Sequence, residues 1–272
     1  MFNERSGWTL SGQFFDIYPS DTYKDALLAG LGNTILCGIS ACALATFLSF
    51  GLIYLTAKTE GGWGLRSTLL IRCIPVPLLL FGIYNILLYL PALSLSFLGI
   101  SLEVSNRGIS LVISQSLSDP VHGTSIVRSW TASSEFLSLL LALALFGGGS
   151  ILEIIRGAVA GIEVSQAEAG RALGMAERQV FWKVIWPQAV LAAITPITNV
   201  YIFILRMTTL GSAVGYIDLY AISNLGISQT GQLVPFLITL AVVMGGTCII
   251  LTTASRILER LLSYQTPRGS AL

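Results

Sequence analysis

The chain has 272 residues, of which 54% are hydrophobic and only 11% charged, and its net charge is +1. Soluble domains carry about 25% charged residues, so this composition excludes an ordinary water-soluble globule and makes lipid the main solvent. The near-neutral balance, with no basic patch interleaved with aromatics, excludes a nucleic-acid binder.

The first segment, 1–25, opens MFNERSGWTLSGQFFDIYPS. It has acidic residues and no early apolar core, so it reads as an external or interfacial segment and not as a cleaved signal peptide. About 20 apolar residues in a helix cross the hydrocarbon core, so charge-free stretches mark the spans. The first is 26–57. The second is 73–102, helical to about Leu90, before Pro91. The third and shortest is 136–152. The fourth is 184–205, with Pro187 near its start and Pro196 inside, where a kink is expected because proline removes a backbone donor. The fifth lies within 219–255, most clearly from Leu233 onward. The predicted fold is all-α and membrane-spanning, with about five helices across 26–258 and a tail at 259–272.

Lysine and arginine placement sets the orientation. With the C-terminus inside, the inner segments hold Lys58, Arg66, Arg171, Arg178, Lys183, Arg256, Arg260 and Arg268. The outer segments hold Arg5, Lys24, Arg107 and Arg128. Eight against four gives N-out, C-in, with an outer loop at about 99–133 and a cytoplasmic loop at about 157–183. The outer loop, carrying Asn106, Arg107, Gly108, Asp119, Pro120 and His122, reads as a connection with short surface structure; the alternative is a docking surface for an external partner. Cys37, Cys42, Cys73 and Cys248 lie in apolar runs without CxxC spacing and read as small apolar side chains. His122 is the only histidine, and alone it makes no metal site.

Ionisable residues at bilayer depth usually face a protein interior or a water-filled cavity. Arg72, Glu135, Glu153, Arg156 and Arg206 qualify. Glu153 and Arg156 stand at i and i+3, close enough to pair on a helix, and read as a structural ion pair. Arg72, followed by Pro75 and Pro77, marks either a helix start or a site. Arg206, Thr208 and Thr209, after a proline-bent helix, and Asn199 within it, are candidates for a solute path. Asn33, Thr34, Asn85 and Asn199 also read as interhelical glue.

The most informative stretch is EIIRGAVAGIEVSQAEAGRALGMAERQVFWKVIWP, residues 153–187. A patterned, polar, helical segment between two apolar spans is suited to meeting a soluble partner. Within it, Glu168-Ala169-Gly170, three residues, Gly174, nine residues, and Val184-Ile185-Trp186-Pro187 resemble the EAA signature of ABC-importer permeases. There, E-A-A-xxx-G is followed after nine residues by I-x-L-P. Gly170, Val184 and Trp186 are the departures. Flanking elements resemble the polar amino acid permeases of the histidine/glutamine type: Glu153-Ile154-Ile155-Arg156-Gly157 their E-x-x-R-G, Ser165-Gln166-x-Glu168-Ala169 their GQ-x-EA, and Pro187-Gln188-Ala189 their PQA. Arg206-Met207-Thr208-Thr209-Leu210 resembles their KDTSL, with Met207 where the pattern has an acid. Gly30-Leu31-x-x-Thr34 and Arg72-x-x-Pro75 extend the likeness upstream. Asn106-Arg107-Gly108 in a long insert resembles the larger permease subunits of general L-amino-acid transporters.

The resemblance implies a permease subunit of an ATP-driven importer for amino acids or related polar solutes, in a bacterial inner membrane. It implies that Gln166, Glu168, Ala169, Gly170 and Gly174 couple the chain to ATP-binding cassette subunits. Those subunits would bind ATP and Mg; this chain has no phosphate loop and would carry no cofactor or catalytic residue of its own. A second permease, identical or homologous, and an external solute-binding protein are the other implied partners. Glycine at 174 suits a positive φ or close backbone approach, and Ala169 and Ala172 keep one helical face flat. The competing reading is a secondary transporter or channel independent of ATP. It calls for mid-membrane acids and internal repeats, and neither is evident. A membrane enzyme would need a catalytic constellation, which one histidine and scattered acids do not make.

Overall fold

The computed structural model describes residues 2–10, 14–58, 73–97, 100–114 and 127–263. Arg72 and His122 lie outside them. The described chain is mainly helical, as expected. In order, the elements are α1 (Tyr23–Lys58), α2 (Val76–Leu88), β1 (Leu93–Phe97), β2 (Ile100–Ser105), β3 (Gly108–Ser114), β4 (Val127–Ser133), α3 (Ser134–Ala160), α4 (Val164–Ala172) and α5 (Glu177–Val180). A π-helix (Phe181–Ile185) then leads into α6 (Trp186–Met207). A 3-10 helix (Thr208–Val214), α7 (Leu219–Thr230) and α8 (Leu233–Ser263) complete the series.

Among the described residues, four helical stretches are long and apolar enough to cross a membrane: Tyr23–Ile53, Ser134–Ala160, Glu177–Val214 and Leu233–Leu262. They correspond to the first, third, fourth and fifth predicted spans. The second is present but shorter than the others. Its helix is Val76–Leu88, 13 residues, with Pro75 at the N-cap and Pro77 in its first turn. The apolar run beyond it turns into strand, because Pro91 cannot continue a helix and the residues after it alternate.

The segment read as a loop is in fact an antiparallel meander in the order β1-β2-β3-β4. Its register pairs Leu95 with Leu102, Leu102 with Leu111, and Leu111 with Trp130. Asn106 and Arg107 form the tight turn between β2 and β3, with Ser105 opposite Gly108. Gly108 has φ +122, and a Cβ there would collide with the Ala132 carbonyl oxygen. The Arg107 carbonyl accepts from the Ser134 amide at 3.1 Å, and Ser133 caps α3 through its hydroxyl and the Phe136 amide, 3.2 Å.

The chain divides into two units. Unit 1 (Met1–Ala41, Ile74–Leu143, Met207–Leu240) contains the meander and a polar node on α1. The buried Asn33 side chain accepts from the Phe15 amide at 3.2 Å and donates to the Ile217 carbonyl at 2.9 Å. The Tyr216 hydroxyl donates to the Asn33 carbonyl at 2.8 Å. The Thr34 hydroxyl donates to Gly30 and accepts from the Leu219 amide. Asn33 and Thr34 are thus glue, as expected. The N-terminal residues also fold onto unit 1. Trp8 stacks edge-on against Tyr23, and Phe14 against Phe136 at 4.7 Å.

Asp218, fully buried, caps α7 by accepting from the Ala221 amide at 2.8 Å. Its other oxygen is buried without a hydrogen-bond partner. Burial outweighs the backbone hydrogen bonds and pushes its pKa up to about 7. The folded state therefore holds a proton that the unfolded state has already released near pH 4. The folded state is stabilised below pH 4 relative to pH 7, and the loss accrues between them as pH rises. Thermal unfolding of the detergent-solubilised protein should show Tm falling from pH 4 to 7. Asp218→Asn, which keeps a capping side chain, should flatten that dependence; an unchanged slope would assign it to another group.

Unit 2 (Cys42–Cys73, Ala144–Arg206, Ala241–Leu272) is held by close helix approach. A Cβ on Gly147 would lie 2.7 Å from Ile204 and 3.1 Å from Ala45. Small residues allow such contacts in lipid, where van der Waals packing replaces the hydrophobic drive. Phe146 and Phe203 pack at 5.1 Å, and the Thr46 and Tyr201 hydroxyls meet at 2.7 Å.

Candidate functional site

The site is built from the chain between α3 and α6, within unit 2. α4 ends in a Schellman turn: the Met175 amide donates to the Gly170 carbonyl at 3.2 Å and the Gly174 amide to the Arg171 carbonyl at 2.9 Å. Such a turn needs a left-handed residue at the position of Gly174, whose φ is +79. Of the two roles the sequence left open for Gly174, positive φ is in use. Within the chain, a Cβ there would meet nothing within 4 Å.

After the turn the chain doubles back as α5. Gly170 faces it, and a Cβ on Gly170 would sit 3.1 Å from the buried Val180 side chain. Arg171 and Glu177 clasp the two short helices with paired hydrogen bonds of 2.6 and 3.3 Å. Both are exposed, so this pair sets geometry more than stability. The Gln179 side chain accepts from the Ala176 amide at 3.2 Å and caps α5. Glu168, Ala169, Ala172 and Leu173 stay on the outer surface, with Leu173 83% exposed. One acid and three small or apolar residues therefore form a free face.

The hairpin is tied to the membrane-crossing helix. Gln188, one residue past Pro187, donates through its side-chain amide to Gln166 and also to the Val184 carbonyl. Thus the two glutamines of the GQ-x-EA and PQA elements meet across 22 residues. The π-helix lies just before this junction, with the Trp186 amide donating to the Phe181 carbonyl. Pro187 supplies its cause, since it has no N–H for the Lys183 carbonyl and its ring crowds that carbonyl. Gln188 in this bridging role, Leu173 and the Arg171–Glu177 clasp are contributions that motif matching did not single out. Gln166 and Gln188 are both polar residues flanking an amphipathic segment, the available signal for such a bond.

The solute-path candidates fall in different settings. Asn199 and Arg206 are both exposed and, seven residues apart, share one stripe of α6 with Ala192. Pro196 beside them removes the donor that the Ala192 carbonyl would meet in an unbroken helix. Thr208, by contrast, is fully buried in the 3-10 helix, and Thr209 is half-buried. Glu153 is half-buried and Arg156 exposed, one turn apart near the end of α3.

A family profile described as binding-protein-dependent transport system inner membrane component matches residues 62–264. The general L-amino acid transport system permease protein AapQ of Rhizobium johnstonii is 38% identical over 98 residues, 36% of this chain and 24% of that protein. The octopine transport system permease protein OccQ of Agrobacterium tumefaciens is 30% identical over 140 residues, 52% of this chain and 57% of its own. The chain thus spans between about a quarter and just over half the length of these two relatives. A crystal structure of an amino acid ABC transporter with histidines superposes with a TM-score of 0.65 at 20% identity, covering 88% of this chain and 94% of that one. An inward-facing MetNI methionine ABC transporter gives 0.61 at 16%, covering 87% and 96%. These two likenesses carry the fold.

Proposed function

The chain belongs to the family of binding-protein-dependent transport system inner membrane components, and from that premise we propose that it is the permease subunit of an ATP-driven importer of amino acids or related polar solutes. The observation that supports this most directly is the 164–188 hairpin, closed by a Schellman turn, clasped by an ion pair and bonded through Gln166 and Gln188 to the base of α6. A stiff lever that ends in a free face and joins a membrane-crossing helix is suited to passing motion from a soluble partner.

In this reading the partner is a pair of ATP-binding cassette subunits, which bind ATP and Mg and perform the hydrolysis. They would meet Glu168, Ala169 and Leu173. A second permease and an external solute-binding protein complete the machine, with the N-terminus outside and the C-terminus in the cytoplasm. Closure of the ATPase pair would swing the hairpin and switch the permeases between inward- and outward-facing states. The Ala192–Asn199–Arg206 stripe would border the solute path, with Arg72, Thr208 and Thr209 contributing or supporting. An arginine can hold a carboxylate through two parallel hydrogen bonds, which suits an amino acid. Glu153 and Arg156 would anchor the end of α3.

Co-expression with the neighbouring genes and purification in detergent tests the reading. The expected result is an ATP-binding subunit in stable ratio with this chain, and uptake of labelled amino acid by proteoliposomes that stops without ATP. Purification of the chain alone, with solute flux in ATP-free liposomes, would overturn it in favour of a secondary transporter or channel.

A further inference from the structure

Unit 2 holds a cavity of about 210 Å³ between α1, α3, α6 and α8, walled by Phe50, Ile155, Trp186, Val190, Ile197 and Tyr201 among others. We propose that this groove is a binding site for one acyl chain of an anionic phospholipid. The hydroxyls of its few polar side chains are already hydrogen-bonded within the protein. The Thr198 hydroxyl donates to Ile194 at 2.9 Å, the Ser255 hydroxyl to Thr252 at 2.9 Å, and the Tyr201 hydroxyl is engaged by Thr46 at 2.7 Å. With each lining hydroxyl bonded inside the protein, the lining is mostly apolar, and an apolar occupant strands no hydroxyl donor.

The groove also lies on the wrong side of α6 for the solute path. Val190, Ile194, Ile197 and Tyr201 fall on the side of the helix opposite Ala192, Asn199 and Arg206. Its length follows the helix: Trp186 to Tyr201 is 15 steps, about 22 Å along the axis, which is more than half of a hydrocarbon core of about 30 Å. Phe50 and Leu258, 46% and 50% exposed, border it.

Charge picks out the headgroup. Ile155, Trp186 and Leu258 line one end of the groove, and the exposed cations Arg156, Lys183, Arg256 and Arg260 stand within three residues of them in sequence. The nearby acids are Glu153 and Glu259, and Glu259 is already bonded to the Thr195 hydroxyl. Basic clusters between spans at the membrane surface attract anionic headgroups. Trp182, 53% exposed, and Trp186 supply the amphipathic rings that settle at that depth.

The test uses the full chain with whatever subunits co-purify, reconstituted in nanodiscs of phosphatidylcholine with or without phosphatidylglycerol. Bound lipid is counted by native mass spectrometry after a delipidating wash. One phosphatidylglycerol per chain is expected to survive on the wild type, with no phosphatidylcholine. Val190→Phe and Ala193→Phe fill the groove and should each lower that occupancy at least tenfold. Elution profile and Tm in phosphatidylcholine show that the variants are folded. Lys183→Glu with Arg256→Glu should remove the preference for phosphatidylglycerol while the groove stays open. Equal retention of both lipids by the wild type, or unchanged phosphatidylglycerol on folded groove-filled variants, would overturn the proposal. Loss of labelled amino-acid binding in the filled variants with lipid occupancy intact would overturn it too, making the groove a solute site.

Discussion

Gly174→Val is expected to lower ATP-dependent solute uptake at least tenfold while leaving membrane insertion and helix content unchanged. Gly174 sits at φ +79 in open space, so the cost is conformational and not a collision. A β-branched residue is a steric outlier in the left-handed region, at about 1–3 kcal/mol. That exceeds what a nine-residue helix on a surface can absorb. The turn should open, the Gly170 and Arg171 carbonyls lose their donors, and the free face of α4 lose its aim. Asparagine tolerates the left-handed region, so Gly174→Asn should recover part of the uptake. The two variants are compared in proteoliposomes for uptake and for ATP hydrolysis. Wild-type uptake by Gly174→Val would show that the turn carries no motion.

Asn33→Leu is expected to give the largest loss of stability. Leucine preserves the volume but strands the Phe15 amide and the Ile217 carbonyl, each of which now has one side-chain partner. A buried polar group left unsatisfied costs about 1–3 kcal/mol, so the pair together should lower Tm by many degrees. The loss should be local first. Amides of 216–222 should exchange with deuterium faster than those of α3, since Asn33 and Thr34 fasten the start of α7. Asn33→Asp keeps the acceptor for Phe15 but loses the donor to Ile217, and should fall between. Uniform exchange across the protein would show that the node does not hold this segment in particular.

The helical character and the main turning points of this chain were legible because apolar length in lipid leaves few alternatives: every backbone group must be paired within the segment. Gly174 could be read as a special backbone position because only glycine enters such turns freely. The meander was missed because an apolar run looks the same to a hydropathy count whether it is helix or strand. Ile100-Ser101-Leu102-Glu103-Val104-Ser105 and Gly108-Ile109-Ser110-Leu111-Val112-Ile113-Ser114 alternate with the period of strands, and Asn106-Arg107-Gly108 is turn chemistry between them. Counting charge-free residues ran the start of that pattern into the second apolar stretch, past the helix end expected at about Leu90. The Gln166–Gln188 bond was beyond reach for a different reason, since it joins residues whose encounter depends on the fold. The Asp218 cap is local, and an aspartate before Leu219 is a helix-start signal that counting charge-free residues passed over; only its raised pKa needs the fold. Asn199 and Arg206 share a stripe by simple arithmetic, yet burial alone separates them from Thr208.

The five-residue π-helix at Phe181–Ile185 gives this chain a reserve of length at its most sensitive point. A π turn stores one residue more than an α path between the same ends. Deleting a single residue there would let the backbone relax to plain α-helix with the segments on either side still in register. The same deletion in the α-helical turn that follows, where no spare residue is stored, would swing everything before it by about 100° around the axis. Glu168 and Leu173 would then point a quarter-turn away from whatever they were made to meet.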